Sequence, residues 1–197
     1  MALRGYLALV KASSTPIAFT DEATTTSDNI SYTITNATKL FWDLETPVIV
    51  KDGGVVTIEN YTLSRLTGKV LFDVVNATRD ITVSGKYVAL TTVAQAKSFS
   101  FAASTDVLDA TPFQELFRKF ESSNITATAE LGKFFEIDDI FVDMLLDGST
   151  KILEYYPNDD LDPIRFFGVA NNVNIEAPQA GLLDETISFN ITTEIEV

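Results

Sequence analysis

Apolar and polar residues alternate with a period of two along much of the chain. The alternation is clearest in residues 98–104, 123–131 and 186–197, where apolar side chains alternate with serine, threonine, asparagine and glutamate. Successive side chains of a β-strand point to opposite faces of a sheet, so each stretch predicts a strand with one buried and one wet face. Further strands are predicted at residues 30–35, 70–75, 81–83, 86–92, 152–156 and 164–175. The pattern therefore predicts a mainly β chain.

Two segments change to a helical period. In residues 135–147 apolar side chains repeat at three- and four-residue spacing, and a glycine follows. A short helix or helical turn is predicted after Thr111, because Pro112 suits the first helical position and Gln114 completes a capping box. Its apolar face would consist of Phe113, Leu116, Phe117 and Phe120. We expect the helix at 135–147 to flank the sheets.

Turns and loops divide the remaining chain. Residues 47–58 predict a β-hairpin, because Asp52-Gly53 lies between β-branched runs and supplies the positive φ angles of a tight turn. Residues 12–29 have small, polar side chains with little periodicity, which predicts a long exposed loop or arm. Loops of this length commonly contact a partner, so we expect this one to contact a neighbouring subunit. The composition changes nowhere along the chain and no repeat is visible, so residues 1–197 are predicted to form a single domain.

Composition excludes much familiar chemistry. The chain has no cysteine and no histidine, which removes thiolate zinc sites, imidazole bases and the nucleophiles that depend on them. The formal charge of −14 opposes nonspecific binding to nucleic acid, although it also serves solubility alone. Residues 1–11 predict a first strand instead of a signal peptide. Apolar runs are too short for a membrane helix, which needs about 18 residues or more.

Candidate catalytic and metal-binding groups are weak. The acidic turn at 158–162 lacks the glycine and distal glutamate of a calcium loop, and Gly53-Gly54 belongs to a hairpin. The carboxylates of Asp138, Asp139 and Asp143 are interpreted as a solvated helix face. We therefore predict no catalytic residue, no metal site and no cofactor.

Six Asn-x-Ser/Thr sequences could indicate a glycosylated, secreted protein. They begin at Asn29, Asn36, Asn60, Asn76, Asn124 and Asn190. The chain is rich in threonine and offers no disulfide framework, so we interpret them as coincidental. A secreted β-sandwich adhesin or glycan-binding module is kept as an alternative.

The predicted wet strand faces carry almost no lysine or arginine. An antiparallel sheet with one solvated face produces alternation by itself, but such faces usually mix long side chains of both charges. Short, hydroxylated and acidic side chains suit a smooth surface along which a polyanion slides without adhering.

The second half of the chain resembles the tail tube, or major tail, proteins of long-tailed bacteriophages. The resemblance covers roughly residues 84–197 and lies in the succession of motifs at 98–113, 123–131, 137–146, 155–157, 166–178 and 185–191. Residues 36–85 are similar to sequences common in phage virion proteins.

The resemblance implies a two-sheet β-sandwich or barrel-like fold with one flanking helix and long loops. It implies stacked hexameric rings that form a hollow tube, the conduit for DNA ejection, in the virion and, during assembly, in the host cytoplasm. The implied partners are further copies of the chain, the tail terminator and the tail tip proteins. Inside the lumen they are the tape-measure protein and the viral DNA, which is enclosed without specific binding. No membrane partner is implied. Strand parity then predicts that Ser98, Ser100, Asn124, Thr126, Thr128, Glu130, Ser188, Asn190, Thr192 and Glu194 face the lumen. A tail terminator, completion protein or capsid decoration protein is the alternative within the virion.

Overall fold

The computed structural model describes residues 9–109, 120–135, 139–156, 162–176 and 183–196, and within them the chain forms two seven-stranded sheets and one α-helix. The pairings described within both sheets are antiparallel. The elements are β1 (Leu9–Ser13), β2 (Ile17–Thr25), β3 (Ser31–Ile34), a 3-10 turn (Ala37–Lys39), β4 (Ile49–Asp52), β5 (Val55–Val56), β6 (Tyr61–Ser64), β7 (Lys69–Phe72), β8 (Ile81–Tyr87), β9 (Leu90–Gln95), β10 (Ser98–Asp109), β11 (Phe120–Phe134), α1 (Ile140–Asp147), β12 (Lys151–Tyr156), β13 (Ile164–Glu176) and β14 (Asp184–Glu196). The predicted mainly β fold with two sheets and a flanking helix is confirmed.

The first sheet curls into a half-barrel. Its strand order is β10-β11-β14-β13-β12-β1-β9, so β9 and β10 form its two edges. Only Ala96 and Lys97 separate these two strands along the chain, which brings the edges close together at this corner. Phe99 of β10 stacks on Tyr155 of β12 with ring centroids 3.9 Å apart. The concave side of the half-barrel therefore encloses a core.

Helix α1 fills that concave side. Phe141 and Met144 are completely buried, and the Phe141 ring meets Phe189 of β14 edge-on at 5.5 Å. The helix begins at Ile140 because the Asp139 side chain accepts a hydrogen bond from the Phe141 N–H (2.8 Å), the geometry of an N-cap. It ends where Gly148 adopts a φ of 66° and donates to the Met144 carbonyl. The predicted helix is thus shorter than 135–147: Phe135 lies outside it, and residues 136–138 are not described.

The second sheet is built entirely from residues 17–87. Its order is β5-β4-β8-β2-β3-β7-β6, and it surrounds its own core with Trp42 completely buried at the centre. This segment lies between β1 and β9, which pair with each other in the first sheet. The chain leaves and rejoins the first sheet at neighbouring points, because the Ser14 N–H donates to the Ala89 carbonyl at 2.9 Å.

A third apolar cluster joins the two sheets. Leu66 and Val88 pack there with Ile152 of β12 and Phe167 of β13. Beside it, the guanidinium of Arg165 lies 5.4 Å from the centre of the Phe41 ring. The second sheet therefore covers one end of the convex side of the half-barrel and leaves the remainder of that side open.

The long loop or arm predicted at 12–29 is wrong for its central part, because Ile17–Thr25 is strand β2. Only Phe19 of this strand is buried, and most of its other side chains are small or polar, so the sequence shows no clear apolar and polar alternation. The strand also contains an irregularity between Phe19 and Glu22, where Asp21 has a φ of 49°. Threonine is β-branched and is enriched in strands, so a threonine-rich segment of small, polar side chains is compatible with a strand.

Two further local predictions need correction. In the hairpin at 47–58 the positive φ angles belong to Gly53 (55°) and Gly54 (83°), not to Asp52-Gly53. Phe120, assigned to the short helix after Thr111, instead begins strand β11 and pairs with Asp109. The rest of that predicted helix, and the acidic turn up to residue 161, lie outside the described residues. Within those residues, no helix has the length and apolar character to cross a membrane.

Candidate functional site

Four neighbouring strands of the half-barrel present a continuous polar surface on the convex side, opposite α1. One row across it runs from Ser100 through Glu130 and Ser188 to Asn172, all in register. Apolar residues at the alternate positions, such as Leu131 and Ile187, are buried in the core. We call this surface the polar face; it consists of Ser98, Ser100, Ser104, Thr126, Thr128, Glu130, Asn172, Asn174, Thr186, Ser188 and Asn190.

Side chains on the polar face bond to each other and to their neighbours. The hydroxyl oxygens of Ser104 and Thr126 lie 3.0 Å apart across β10 and β11. The Asn171 amide donates to the Asn190 side-chain oxygen at 2.8 Å. These are short side chains whose hydrogen-bonding groups are partly satisfied within the sheet, so the surface is wet but smooth.

Among the described residues of the polar face there is no lysine or arginine, and Glu130 is its ionisable residue. Lys133 of β11 is 2% exposed because it points into the concave core. Lys97 lies at the corner before β10, where its ammonium pairs with Asp184 at 2.5 Å and lies over the Phe134 ring. Nearby cations are therefore withdrawn from the surface or neutralised.

The structure brings most of the predicted lumen-facing residues together. Ser98, Ser100, Thr126, Thr128, Glu130, Asn190 and Thr192 are exposed, and Ser188 is half-buried. Asn124 lies in β11, but its side chain is not among those described. Whether these residues line a passage stays a prediction, because one copy shows no passage.

Glu194 departs from the others. Its two carboxylate oxygens accept hydrogen bonds from the backbone N–H groups of Arg65 and Leu66, each at 3.1 Å. This carboxylate therefore connects β14 to the second sheet and is not part of the open polar face. Glu194 keeps the strand parity of Asn190 and Glu196, but at this end of β14 residues Arg65 and Leu66 cover that side of the strand.

Sequence reasoning missed the contribution of β13. A β-bulge between Ala170 and Asn172 inserts Asn171 and reverses the parity of the strand, so Asn172 and Asn174 join the polar face. The sequence gives no specific signal for this bulge, which is visible only in the register of β13 with β14.

A ladder of alternating charges crosses four strands at the opposite end of the convex side. Lys11, Glu154, Arg165 and Glu196 are successive cross-strand partners. The Glu154 carboxylate lies 2.8 Å from Lys11 and 2.5 Å from Arg165, which pairs with Glu196 at 3.0 Å. Burial alone would raise the pKa of Glu154, but its two cationic partners outweigh burial and lower it. Glu154 is therefore an ionised carboxylate with two partners.

A second charged cluster is buried beside the N-terminus of α1. Lys133, Asp139 and Glu185 are 2%, 8% and 1% exposed, and the Lys133 ammonium pairs with both carboxyl groups. The predicted solvated helix face is thus wrong for Asp139, which caps the helix inside the protein; Asp143 is exposed and Asp138 is not described. Desolvation raises the pKa of Glu185, and the neighbouring Asp139 raises it further.

Two of the six Asn-x-Ser/Thr sequences have a structural explanation. The Asn36 side-chain oxygen accepts hydrogen bonds from the N–H and hydroxyl of Thr38, and Asn76 binds Thr78 in the same way. This is an Asx turn, a common local use of an asparagine two residues before a threonine.

A pocket with a volume of about 510 Å³ lies beside the second sheet. Ile58, Val74 and Val75 contribute apolar lining, and Arg79 contributes a cation. That guanidinium is committed to the Val74 carbonyl (2.7 Å), to Glu59 and to the face of the Phe72 ring. Within the described ranges no group of three or more acidic side chains could hold a metal ion.

Comparisons with known proteins found similar solved structures but no matching sequence. No family model matches the chain, and no curated protein matches it. One similar solved structure is the tail of an empty gene transfer agent particle refined with C6 symmetry, with 10% identity, a TM-score of 0.47 and coverage of 55% of this chain and 85% of that one. Another is the virion of a native gene transfer agent particle, with 11% identity, a TM-score of 0.46 and coverage of 54% and 86%. At these values the function must be argued from this chain's own residues.

Proposed function

We propose that this chain is the subunit of a phage-type tail tube, and that its copies assemble into stacked hexameric rings around a passage for DNA. The observation that carries the proposal is the polar face: a cation-free surface of hydroxyl, amide and carboxylate groups across four strands. Nonspecific adhesion of DNA requires lysine or arginine to neutralise phosphates. A passage lined by the polar face would let DNA move through without binding.

The edges of the half-barrel supply the means of assembly. Among the described strands, β11 is the neighbour of β10 on one side, and none pairs with its other edge. Unpaired strand edges attract pairing with other chains. We propose that this edge pairs with the half-barrel of the next copy, so that the polar faces of successive copies join into one inner wall.

The hairpin of β10 and β11 provides a second contact. Strand β14 pairs with β11 only from Ala127 to Phe134. Beyond that region, Val107–Asp109 pairs with residues 120–122, and no third strand is described beside them. A two-stranded ribbon is marginally stable by itself in water. In the proposed tube, a copy in the same or the next ring covers this ribbon.

The charge distribution agrees with an inner first sheet. Residues 17–87 contain nine acidic and six basic residues, so they carry −3 of the total charge of −14. The remaining −11 belongs to the segments that form the first sheet and its loops. Negative charge is therefore concentrated in the half of the chain that would surround the DNA. The tape-measure protein before ejection, and terminator and tip proteins at the two ends, are the further partners of this proposal.

The test places positive charge on the polar face. Thr128→Lys with Glu130→Lys adds three charges to each copy, and six copies would ring the passage with cations. We expect the variant to fold and to form tubes, but particles built from it should release DNA more slowly and less completely. The measurement is DNA release from purified particles, with electron microscopy of the tubes.

The matched control makes the same chemical change in the segment that forms the second sheet, at Glu45 in the loop before β4 and at Thr62 of β6. Glu45→Lys with Thr62→Lys replaces two exposed residues there. This variant should release DNA as the wild type does. Equal release by both variants would refute the assignment of the polar face to the passage, and failure of the wild-type protein to form rings or tubes, alone or on a tail tip, would refute the proposed function.

A further inference from the structure

The buried cluster of Lys133, Asp139 and Glu185 connects three elements of the half-barrel. Lys133 of β11 and Glu185 of β14 are direct cross-strand partners, and both point into the concave side. Asp139 joins them from the N-cap of α1. The cluster therefore fixes the start of the helix to the ends of two central strands.

One ammonium group serves two carboxyl groups. The Lys133 ammonium contacts Asp139, lies 2.9 Å from one Glu185 oxygen and donates to the Phe134 carbonyl at 3.3 Å. Neither Glu185 oxygen has an aligned hydrogen bond to the described residues, and the same holds for Asp139 Oδ2. With both carboxyl groups ionised, the cluster would hold a net buried charge of −1, which is costly at such low exposure.

Surrounding elements supply no second cation. On β13 the partner of Glu185 is Ile175, which is apolar. Lys97 is engaged with Asp184 at the surface, and Asp143 on α1 is exposed. Phe141 lies beneath the ammonium, 5.8 Å from its ring centre. Among the described charged groups, Lys133 therefore balances this cluster without help.

Glu154 is a buried glutamate of the same protein whose negative charge is balanced by two cations. It is 2% exposed, against 1% for Glu185, but it lies between Lys11 and Arg165. The two sites have similar burial and differ in the number of cations.

We propose that the Glu185 carboxyl group keeps its proton at neutral pH and donates a hydrogen bond to the Asp139 carboxylate, so that the cluster is a neutral, pH-sensitive lock on helix α1. On deprotonation the proton leaves for solvent, the cluster acquires its net negative charge, and the two carboxylates repel. Asp139 then separates from Glu185, which loosens the N-cap of α1 and the ends of β11 and β14.

The direction of the pH effect follows from linkage. Burial and Asp139 raise the pKa of Glu185 above its value in the unfolded chain. A raised pKa gives a contribution to stability that is fully present below the unfolded pKa and is lost as the pH rises through the folded pKa. The lock is therefore closed in acid and opens as the pH rises.

The test is infrared spectroscopy of the full-length protein in D2O, where a protonated carboxyl group has a C=O stretch separate from that of carboxylates. At neutral pH the wild type should show one such band, and the band should disappear reversibly on raising the pH. Glu185→Gln should abolish it, while Glu154→Gln should leave it unchanged. Asp139→Asn should also remove the band at neutral pH, because Lys133 would then balance the Glu185 carboxylate alone.

Thermal unfolding across pH gives an independent readout. The wild type should lose melting temperature as the pH rises through the range in which the band disappears, and Glu185→Gln should flatten that dependence. Absence of the band in the wild type at neutral pH would overturn the proposal even if Glu185→Gln does not fold. Persistence of the band in a folded Glu185→Gln variant would overturn it equally.

Discussion

At the scale of single residues, Gly68 shows the cost of an added methyl group. Gly68 has a φ of 62°, and a Cβ there would lie 2.9 Å from the Leu40 carbonyl oxygen and 3.0 Å from Ile34 Cγ2. Gly148 has a similar φ of 66° with open space around it. Gly148→Ala should therefore cost only backbone strain, about 1 kcal/mol, whereas Gly68→Ala should cost about 2–4 kcal/mol because contact with backbone is added. Equal losses in denaturant unfolding would contradict the close packing at Gly68.

Single residues also show where sequence reasoning reaches its limit. The contact of Gly68 with Leu40 could not be predicted, because it depends on a loop 28 positions earlier in the chain. Glu185 shares the side of β14 that carries Ile187 and Phe189, but its partner Lys133 lies on another strand. The local sequence pattern identifies a buried position. Only the register between two strands identifies the charged residue that lies opposite it.

At the scale of elements, strands were predictable where alternation is regular. Strands β10, β11 and β14 alternate regularly, so the wet side of each strand was predictable from its sequence, whereas the order of the strands in the sheet was not. Strand β2 was missed because its exposed residues are short on both faces, and the polar part of β13 was missed because a bulge reverses its parity. The two-residue period of a strand assigns side chains to a face only where no β-bulge interrupts its pairing with the neighbouring strand.

The charge ladder across β1, β12, β13 and β14 yields a prediction about these elements together. Glu154→Gln leaves the half-buried Lys11 and Arg165 side chains without their shared, buried carboxylate, so we expect a loss of about 3 kcal/mol in the free energy of unfolding at neutral pH. The lowered pKa of Glu154 gives a contribution that is present above the unfolded pKa and lost as the pH falls through the folded pKa. The difference from the wild type should therefore shrink in acid.

The control for the ladder is Glu176→Gln, which changes an exposed glutamate of β13. It should alter the free energy of unfolding by less than about 0.5 kcal/mol at any pH. Denaturant titrations at several pH values measure both variants. A constant difference between Glu154→Gln and the wild type across pH would show that packing, and not charge, is responsible.

At the scale of the whole molecule, the division of the chain between the sheets could not be predicted. The sequence shows no linker, and a single domain remains the prediction for residues 1–197. The structure places residues 17–87 in a separate sheet between two paired strands, connected to the first sheet by an apolar cluster and by Glu194. Such an arrangement depends on the pairing of β1 with β9, about 80 positions apart, which leaves no local signal.

Charge on the whole molecule gives a prediction about assembly. Each copy carries −14, so copies in a ring repel one another, and salt screens that repulsion as the Debye length falls from about 30 Å at 0.01 M to about 8 Å at 0.15 M. We expect tube formation, measured by sedimentation and electron microscopy, to require less protein at the higher salt concentration. Thr128→Lys with Glu130→Lys and Glu45→Lys with Thr62→Lys reduce the net charge equally, but the first pair should weaken the salt dependence more, because its charges would converge on one passage. Equal effects of the two variants would mean that the polar faces of the copies do not surround a common passage. Tubes that dissociate as the salt concentration rises would mean that ion pairs between copies outweigh the repulsion.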